Sequence, residues 1–361
     1  MTNHSASAAG KCLLILFLYL ASSILPASAQ NLVQTPVYKE VNYAIGGYYE
    51  SLPLDYKTTT KKYPLLIFIH GIGELGDGSA AELPRILKHG VPKLINRNLM
   101  PNSFTVGGVT SSFIYVSPQF RANYRDAAAV ASLIDYCVAK YRVDESRIYL
   151  TGLSMGGGIS WIYAGKSTAN AKRLAALLVV AGNTNASSGG VANIASTNLP
   201  VWATHNSDDP VVPCSNSINW QKGLNAYSPA INPKALLNIF NSTSHDAWSK
   251  TYDPAFKPNG LNVYEWLLSH KRSSDAVPAN KPPMSDAGAD QVLELPNTST
   301  MLIGSGKDAD GTIVSYKWEK VSGPNGGEIT RNENAITMAI SLEKGTYTFR
   351  LTVKDNDGAT D

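Results

Sequence analysis

From residue 37 the chain alternates short apolar runs with segments of helical period. VYKEVNYAI (37–45) and GYYESLPLDY (47–56) predict an opening pair of strands, with Gly46-Gly47 as their turn. PLLIFIH (64–70) is continuously apolar, the pattern of a strand buried on both faces. SFIYVSP (112–118), SRIYLTG (146–152), AALLVVAG (175–182), LPVWATH (199–205) and ALLNIF (235–240) repeat it. Between them DAAAVASLIDYCVAKY (126–141), MGGGISWIYAG (155–165), SINWQKGLNAY (217–227) and NVYEWLLSHKR (262–272) read as helices. Buried strands alternating with helices predict an α/β fold with a mostly parallel sheet.

The alternation stops at residue 272. The Pro-rich stretch 273–285 has neither period and reads as a linker. Beyond it QVLELP, TSTMLIG, TIVSYKWEKV, AITMAISL and GTYTFRLTVKD predict short strands separated by turn clusters such as DADG and DNDG. Residues 286–361 therefore read as a small all-β sandwich, with Trp318 in its core. At the other end, an apolar run of 14 residues (12–25) follows Lys11 and is followed by Ala27-Ser28-Ala29. It is short for a membrane span and fits a signal peptide, residues 1–29, cut after Ala29. The expected product is an exported protein with no membrane anchor.

Composition narrows the classes. The chain has 361 residues, 43% hydrophobic and 16% charged, enough for a sizeable core and unlike a disordered or collagen-like chain. A net charge of +3 with no basic stripe gives no electrostatic case for nucleic acid. Removal of the signal takes Cys12 with it, leaving Cys137 and Cys214. Export permits them to pair, but two free thiols are the simpler expectation. None of the six histidines has metal-ligand spacing, and neither a metal nor another cofactor is expected.

The candidate chemistry sits in Gly152-Leu153-Ser154-Met155-Gly156, a G-x-S-x-G sequence between a buried strand and a small-residue helix. That context forces a tight strand-to-helix turn, which lifts the Ser154 hydroxyl out of the sheet. The helix N-terminus then aims the Met155 N–H at a developing oxyanion. A serine needs a base. His245 follows the last predicted strand, and HNSDDPVVP (205–213) places Asp208 and Asp209 after the preceding one. The order serine, acid, histidine suits such a sheet, whose sites lie at the carboxyl ends of the strands. A second oxyanion donor is expected from Ile72 in the turn HGIGE (70–74). Glu74, Gln119 and Trp248 are candidates to line the cleft. His70 is expected to shape the oxyanion turn, His205 to be a structural hydrogen-bonder, and His89 and His270 to be surface residues on helices.

IHGIGELGDG, VSPQF, VDESRIYLTGLSMGG, HNSDDPVVP and SHDAWSKTYD make residues 30–272 resemble the α/β-hydrolase superfamily, in particular its phospholipase/carboxylesterase-like and peptidase-like members without a lid. The resemblance implies Ser154 as nucleophile, Asp209 as acid, His245 as base, and Ile72 and Met155 as oxyanion donors. Asp209 rather than Asp208 is implied because it directly precedes Pro-x-Val-Pro. Asn206 stands where many relatives have glycine. DAGADQ, GSGKDADGTIVSYKWEKVSGP and GTYTFRLTVKDNDGATD make residues 286–361 resemble a polycystic-kidney-disease-type (PKD) module that lacks its last strand. Asp308, Asp310, Asp355 and Asp357 could suit calcium, though ordinary Asx-turns account for them as well.

The expected function is a secreted serine esterase with an open cleft, acting on soluble esters. Acyl esters of plant polysaccharide are the candidate substrate, and the module a candidate binder of polysaccharide or protein. A prolyl-oligopeptidase-type peptidase and a non-catalytic surface protein are the rival expectations.

Overall fold

The computed structural model describes Met1 and residues 31–123, 126–272, 282–309, 312–355 and 359–361. The expected signal peptide beyond Met1, the stretch 273–281 of the linker, Asp310 and Asp357 lie outside the described residues. No helix among the described residues is long and apolar enough to cross a membrane.

Eight strands build the central sheet: β1 Gln34–Val37, β2 Ile45–Ser51, β3 Tyr63–Ile69, β4 Ile114–Phe120, β5 Val143–Leu153, β6 Ala176–Val180, β7 Val201–Asn206 and β8 Leu236–Phe240. Their spatial order is β1-β2-β4-β3-β5-β6-β7-β8. The pairs β1–β2 and β2–β4 are antiparallel and all later pairs parallel. The continuous apolar runs are explained by two buried faces. Leu65, Ile67 and Ile69 of β3 enter one core, while Leu66 and Phe68 enter the other. Each such side chain contributes roughly 1.5–3 kcal/mol by leaving water.

The helices are α1 Gly90–Asn96, α2 Ala127–Lys140, α3 Met155–Lys166, α4 Thr168–Arg173, α5 Ser188–Ala195, α6 Ser215–Asn225, α7 Trp248–Thr251 and α8 Val263–Leu268. Residues of α2, α3, α5 and α6 fill the first core, and those of α1, α7 and α8 the second. Asp126 caps α2 through the Ala128 N–H at 2.8 Å, and Asn262 with Glu265 forms a capping box on α8. The Trp161 and Trp220 rings stack at 4.4 Å and 4°, fixing α6 against α3.

Two expectations need correction. Gly46 and Gly47 do not form the first turn but lie inside β2. A Cβ on Gly46 would stand 1.8 Å from the Asp77 carbonyl oxygen, and one on Gly47 2.6 Å from that of Gly78. The glycines are there because a loop crosses the strand at backbone contact, not because the chain reverses. QVLELP (291–296) forms no strand; Val292 is exposed, and the Asn297 N–H closes a turn onto the Glu294 carbonyl.

In the C-terminal part every pairing is antiparallel. Met284–Asp286, which begins inside the segment read as linker, pairs with Ser305–Lys307. Ile336–Ile340 pairs with Thr300–Ile303 and Glu328–Ile329, and Ile313–Ser322 with Thr348–Asp355. Leu302, Trp318, Ala339, Leu351 and Val353 form the core. Asp355 Oδ1 accepts the Ala359 N–H at 2.9 Å.

Candidate active site

β5 runs into α3 through Ser154, whose φ of 52° and ψ of −114° lie where a non-glycine residue is strained. The flanking glycines let the turn exist. A Cβ on Gly152 would come within 2.4 Å of the Gly156 backbone, and one on Gly156 within 2.1 Å of the Ile69 carbonyl oxygen. The strained serine is pinned by its N–H to the Val180 carbonyl at 2.9 Å, while its own carbonyl accepts from Gly158 N–H at 3.0 Å.

The Ser154 hydroxyl reaches His245 Nε2 at 2.9 Å, and His245 Nδ1 reaches Asp209 Oδ2 at 2.7 Å. The carboxylate accepts only, so Nδ1 carries the proton and Nε2 is left to accept from the serine. Asp209 Oδ1 takes the N–H groups of Val211 and Val212 at 2.8 and 3.0 Å. Burial works to raise its pKa, but the Val212 N–H, His245 and the Val211 N–H together outweigh it, holding the carboxyl below the usual range. Asp208, by contrast, is exposed and accepts from its neighbour Ser207. The geometry therefore joins Ser154, His245 and Asp209.

His205 stands behind the acid. Its Nε2 lies 3.0 Å from the Val212 carbonyl oxygen and 3.3 Å from Asp209 Oδ2, with Nδ1 2.7 Å from Ser217 Oγ. Burial lowers its pKa below the ordinary histidine value, against the opposing pull of the Val212 carbonyl and Asp209. Asn206 is buried, and its Nδ2 donates to the Ser244 carbonyl at 2.6 Å.

The turn after β3 supplies the opposite wall. A Cβ placed on Gly71 would lie 3.8 Å from Ser154 Cβ, so this backbone passes beside the serine. His70 Nε2 accepts the Phe120 N–H at 2.9 Å, which leaves the ring proton on Nδ1 to hold the Gly71 carbonyl at 2.6 Å. Glu74 N–H binds the same carbonyl at 3.3 Å. In a trans peptide the Ile72 N–H points opposite to that carbonyl; it is the first N–H of the 3-10 turn Ile72–Glu74 and has no acceptor within it. Met155 is likewise the first residue of α3. Both N–H groups therefore lie at the start of a helical turn, where no acceptor within the turn is available.

Of the cleft candidates, Trp248 packs edge-on against His245 with ring centres 5.0 Å apart. Glu74 is 5% exposed, with His89 Nε2 3.8 Å from its Oε1. Gln119 does not line a cleft. It is fully buried, with Nε2 donating to the carbonyls of Glu74 and Glu82 and Oε1 accepting from Gly78 N–H, so it anchors the 74–82 loop from behind. His89 is not a mere surface residue, since Trp248 Nε1 donates to its Nδ1 at 3.2 Å. Only the approach of α7 to the segment before α1, distant in sequence, reveals it. His270 is half-buried against Trp266, rings 4.8 Å apart, which lowers its pKa to about 4 by burial. Cys137 and Cys214 are free thiols. Among the described residues no group of three or more His, Cys, Asp or Glu side chains could hold a metal.

Comparison with known proteins accords with this architecture. The phospholipase/carboxylesterase family matches residues 56–255, more than half of the chain, and a PKD-domain family matches residues 287–361. The chain is 46% identical over 76 residues to the mouse (Mus musculus) dyslexia-associated protein KIAA0319-like protein, covering 21% of this chain and 7% of that one. It is also similar to human (Homo sapiens) low-density lipoprotein receptor-related protein 11, 31% over 121 residues, covering 34% of this chain and 23% of that one. The chain thus spans under a quarter of the length of these relatives. A crystal structure of a thermostable esterase is similar with 23% identity and a TM-score of 0.49, covering 67% of this chain and 64% of that one. With the sheet order, the serine turn and the family match in hand, the chain belongs to the phospholipase/carboxylesterase family of α/β-hydrolases and carries a PKD domain in its C-terminal part.

Proposed function

We propose that the protein is a secreted serine esterase that cleaves carboxylic esters through an acyl-enzyme. The observation that carries this reading is the unbroken hydrogen-bond chain from Ser154 Oγ through His245 to Asp209, at 2.9 and 2.7 Å. His245 takes the Ser154 proton as the oxygen attacks the ester carbonyl. The N–H groups of Ile72 and Met155 hold the oxyanion, a contribution of about 2.7–4 kcal/mol per donor. His245 returns the proton to the departing alcohol. It then takes a proton from water as the water oxygen attacks the acyl carbonyl, and gives that proton to Ser154 Oγ as the acyl C–O bond breaks and the acid leaves. Asp209 keeps the imidazole in the tautomer this needs and stabilises the imidazolium.

A panel of p-nitrophenyl acyl esters, acetylated and feruloylated xylan, and aminoacyl p-nitroanilides tests the reading. Ester turnover that disappears in Ser154→Ala is expected. Cleavage of anilides alone would overturn it in favour of a peptidase. Acyl esters of plant polysaccharide are the preferred natural substrate class, because an export signal and a PKD module suit work on extracellular polymers. Secretion is tested by sequencing the N-terminus of the exported protein, expected at Gln30.

A further inference from the structure

A run of side chains leads away from Ser154 and returns to within about 7 Å of it. His245 packs on Trp248, Trp248 donates to His89, and His89 faces Glu74. Glu74 Oε2 lies 3.1 Å from where a Gly71 Cβ would be, and that point is 3.8 Å from Ser154 Cβ. The two distances bound the separation of the Glu74 carboxylate from Ser154 Cβ at about 7 Å.

One link in this run is open. Indole N–H only donates, so His89 Nδ1 accepts and the ring proton sits on Nε2. That N–H faces Glu74 Oε1 across 3.8 Å, too far for a direct hydrogen bond. Among the described residues the Glu74 carboxylate has no other ion-pair partner, although the residue is 5% exposed. Its position is not slack. Its backbone carbonyl is held by Gln119 at 3.0 Å and its N–H by the Gly71 carbonyl at 3.3 Å. The gap is a preset pair, a donor on one side and an acceptor on the other, which a single oxygen set to the side of their line can bridge.

We propose that Glu74 and His89 form a hydroxyl-binding subsite, and that the preferred esters carry a hydroxyl group within a few bonds of the scissile carbonyl. A hydroxyl oxygen accepts from His89 Nε2–H while its proton goes to Glu74. An ammonium would meet the His89 proton, a carboxylate would meet Glu74, and a methyl group would bond neither of the two polar groups. Sites built this way discriminate strongly against the analogue without the hydroxyl. Monoesters of polyols and esters of short hydroxy acids are the fitting chemical class. This inference rests on the serine-esterase reading above.

Two isosteric pairs test it: 2-hydroxyethyl acetate against propyl acetate, and methyl 3-hydroxypropanoate against methyl butanoate. The first places the hydroxyl in the alcohol, the second in the acyl group. Each kcat/KM ratio is divided by the ratio of alkaline hydrolysis rates, which removes intrinsic reactivity. The full chain is expected to favour the hydroxylated member of at least one pair by about tenfold or more. Glu74→Gln and, separately, His89→Phe are expected to bring that ratio near unity. Each variant's rate on its apolar ester is the internal reference, so the ratio does not depend on how much activity survives. Should one variant fail to fold, the other and the wild-type preference still decide. A wild-type enzyme that turns over all four esters with corrected ratios near unity overturns the subsite and leaves the esterase reading standing. A retained preference in both variants likewise overturns the assignment to Glu74 and His89. Hydrolysis of none of the four, nor of any p-nitrophenyl ester, sinks the esterase reading and this inference with it.

Discussion

Asn206 donates its side-chain N–H to the Ser244 carbonyl at 2.6 Å, tying the loop that carries Asp209 to the loop that carries His245. Two further bonds run alongside, from Ser207 N–H to the Phe240 carbonyl at 2.8 Å and from Asp208 N–H to the Ser242 carbonyl at 3.1 Å. The acid and the base are thus set by one cross-loop clamp. Asn206→Gly removes the side-chain strand of the clamp and leaves the backbone strands. A hydrogen bond of this kind contributes about 1 kcal/mol, so kcat/KM on p-nitrophenyl acetate should fall several-fold, with the loss in kcat. An unchanged kcat would show that the clamp is not needed.

The two neighbouring aspartates should separate cleanly. Asp209→Asn places a donor where His245 needs an acceptor and turns the imidazole into the wrong tautomer, with a loss of about 10⁴ in kcat. Asp208→Asn, on an exposed side chain, should stay within a few-fold of wild type. Steady-state kinetics of both variants check this, and the reverse order of effects would move the acid to Asp208.

Gly156→Ala should abolish activity and lower the melting temperature sharply, because its Cβ would meet the Ile69 carbonyl oxygen at 2.1 Å. Gly73→Ala, with nothing within 4 Å of the new atom, should leave melting unchanged within about 0.5 kcal/mol. Melting curves of the two variants measured together test whether the close approach, not glycine loss as such, matters.

Acid should destabilise the protein before it protonates most carboxylates. Burial lowers the pKa of His70 to about 4, whereas an unfolded histidine titrates near about 6.5. Between those values the unfolded chain binds the additional proton. Stability from neutral His70 is therefore complete above about pH 6.5 and is lost as pH falls toward 4, up to about 3 kcal/mol in all. His270, also lowered to about 4 by burial, acts in the same window. His270→Phe keeps a ring against Trp266 but cannot take the proton, so its melting temperature should fall less between pH 7 and 5 than that of wild type. Parallel curves for the two proteins would refute the assignment.

The sheet was legible because continuous apolar runs mark strands buried on both sides, as β3 and β6 are. Ser154 and Asp209 were legible because each follows such a run; the run before His245 is equally apolar, but it forms the edge strand β8, whose residues are mostly half-buried. What escaped is what depends on contact between distant segments. Gly46-Gly47 looks like a turn until Asp77 is seen pressing on it, and Gln119 looks like a wall until its amide is found anchoring the 74–82 loop from behind. His89 carries no signal of its own; it matters only because Trp248, 159 residues later, donates to it. Short helices such as α4 and α7 are too brief for a period to register.

The position of β8 has a consequence for heat inactivation. It is the outermost strand of the sheet, bonded to β7 alone, and its residues are mostly half-buried, yet the loop leaving it carries His245. The nucleophile, in contrast, is anchored at the sheet's interior. Peeling of one edge strand would therefore disarm Ser154 while the rest of the sheet keeps its shape. Activity measured at temperature should drop where far-ultraviolet circular dichroism is still native, and recover on cooling. The enzyme would carry its own thermal fuse at the rim of an otherwise intact scaffold.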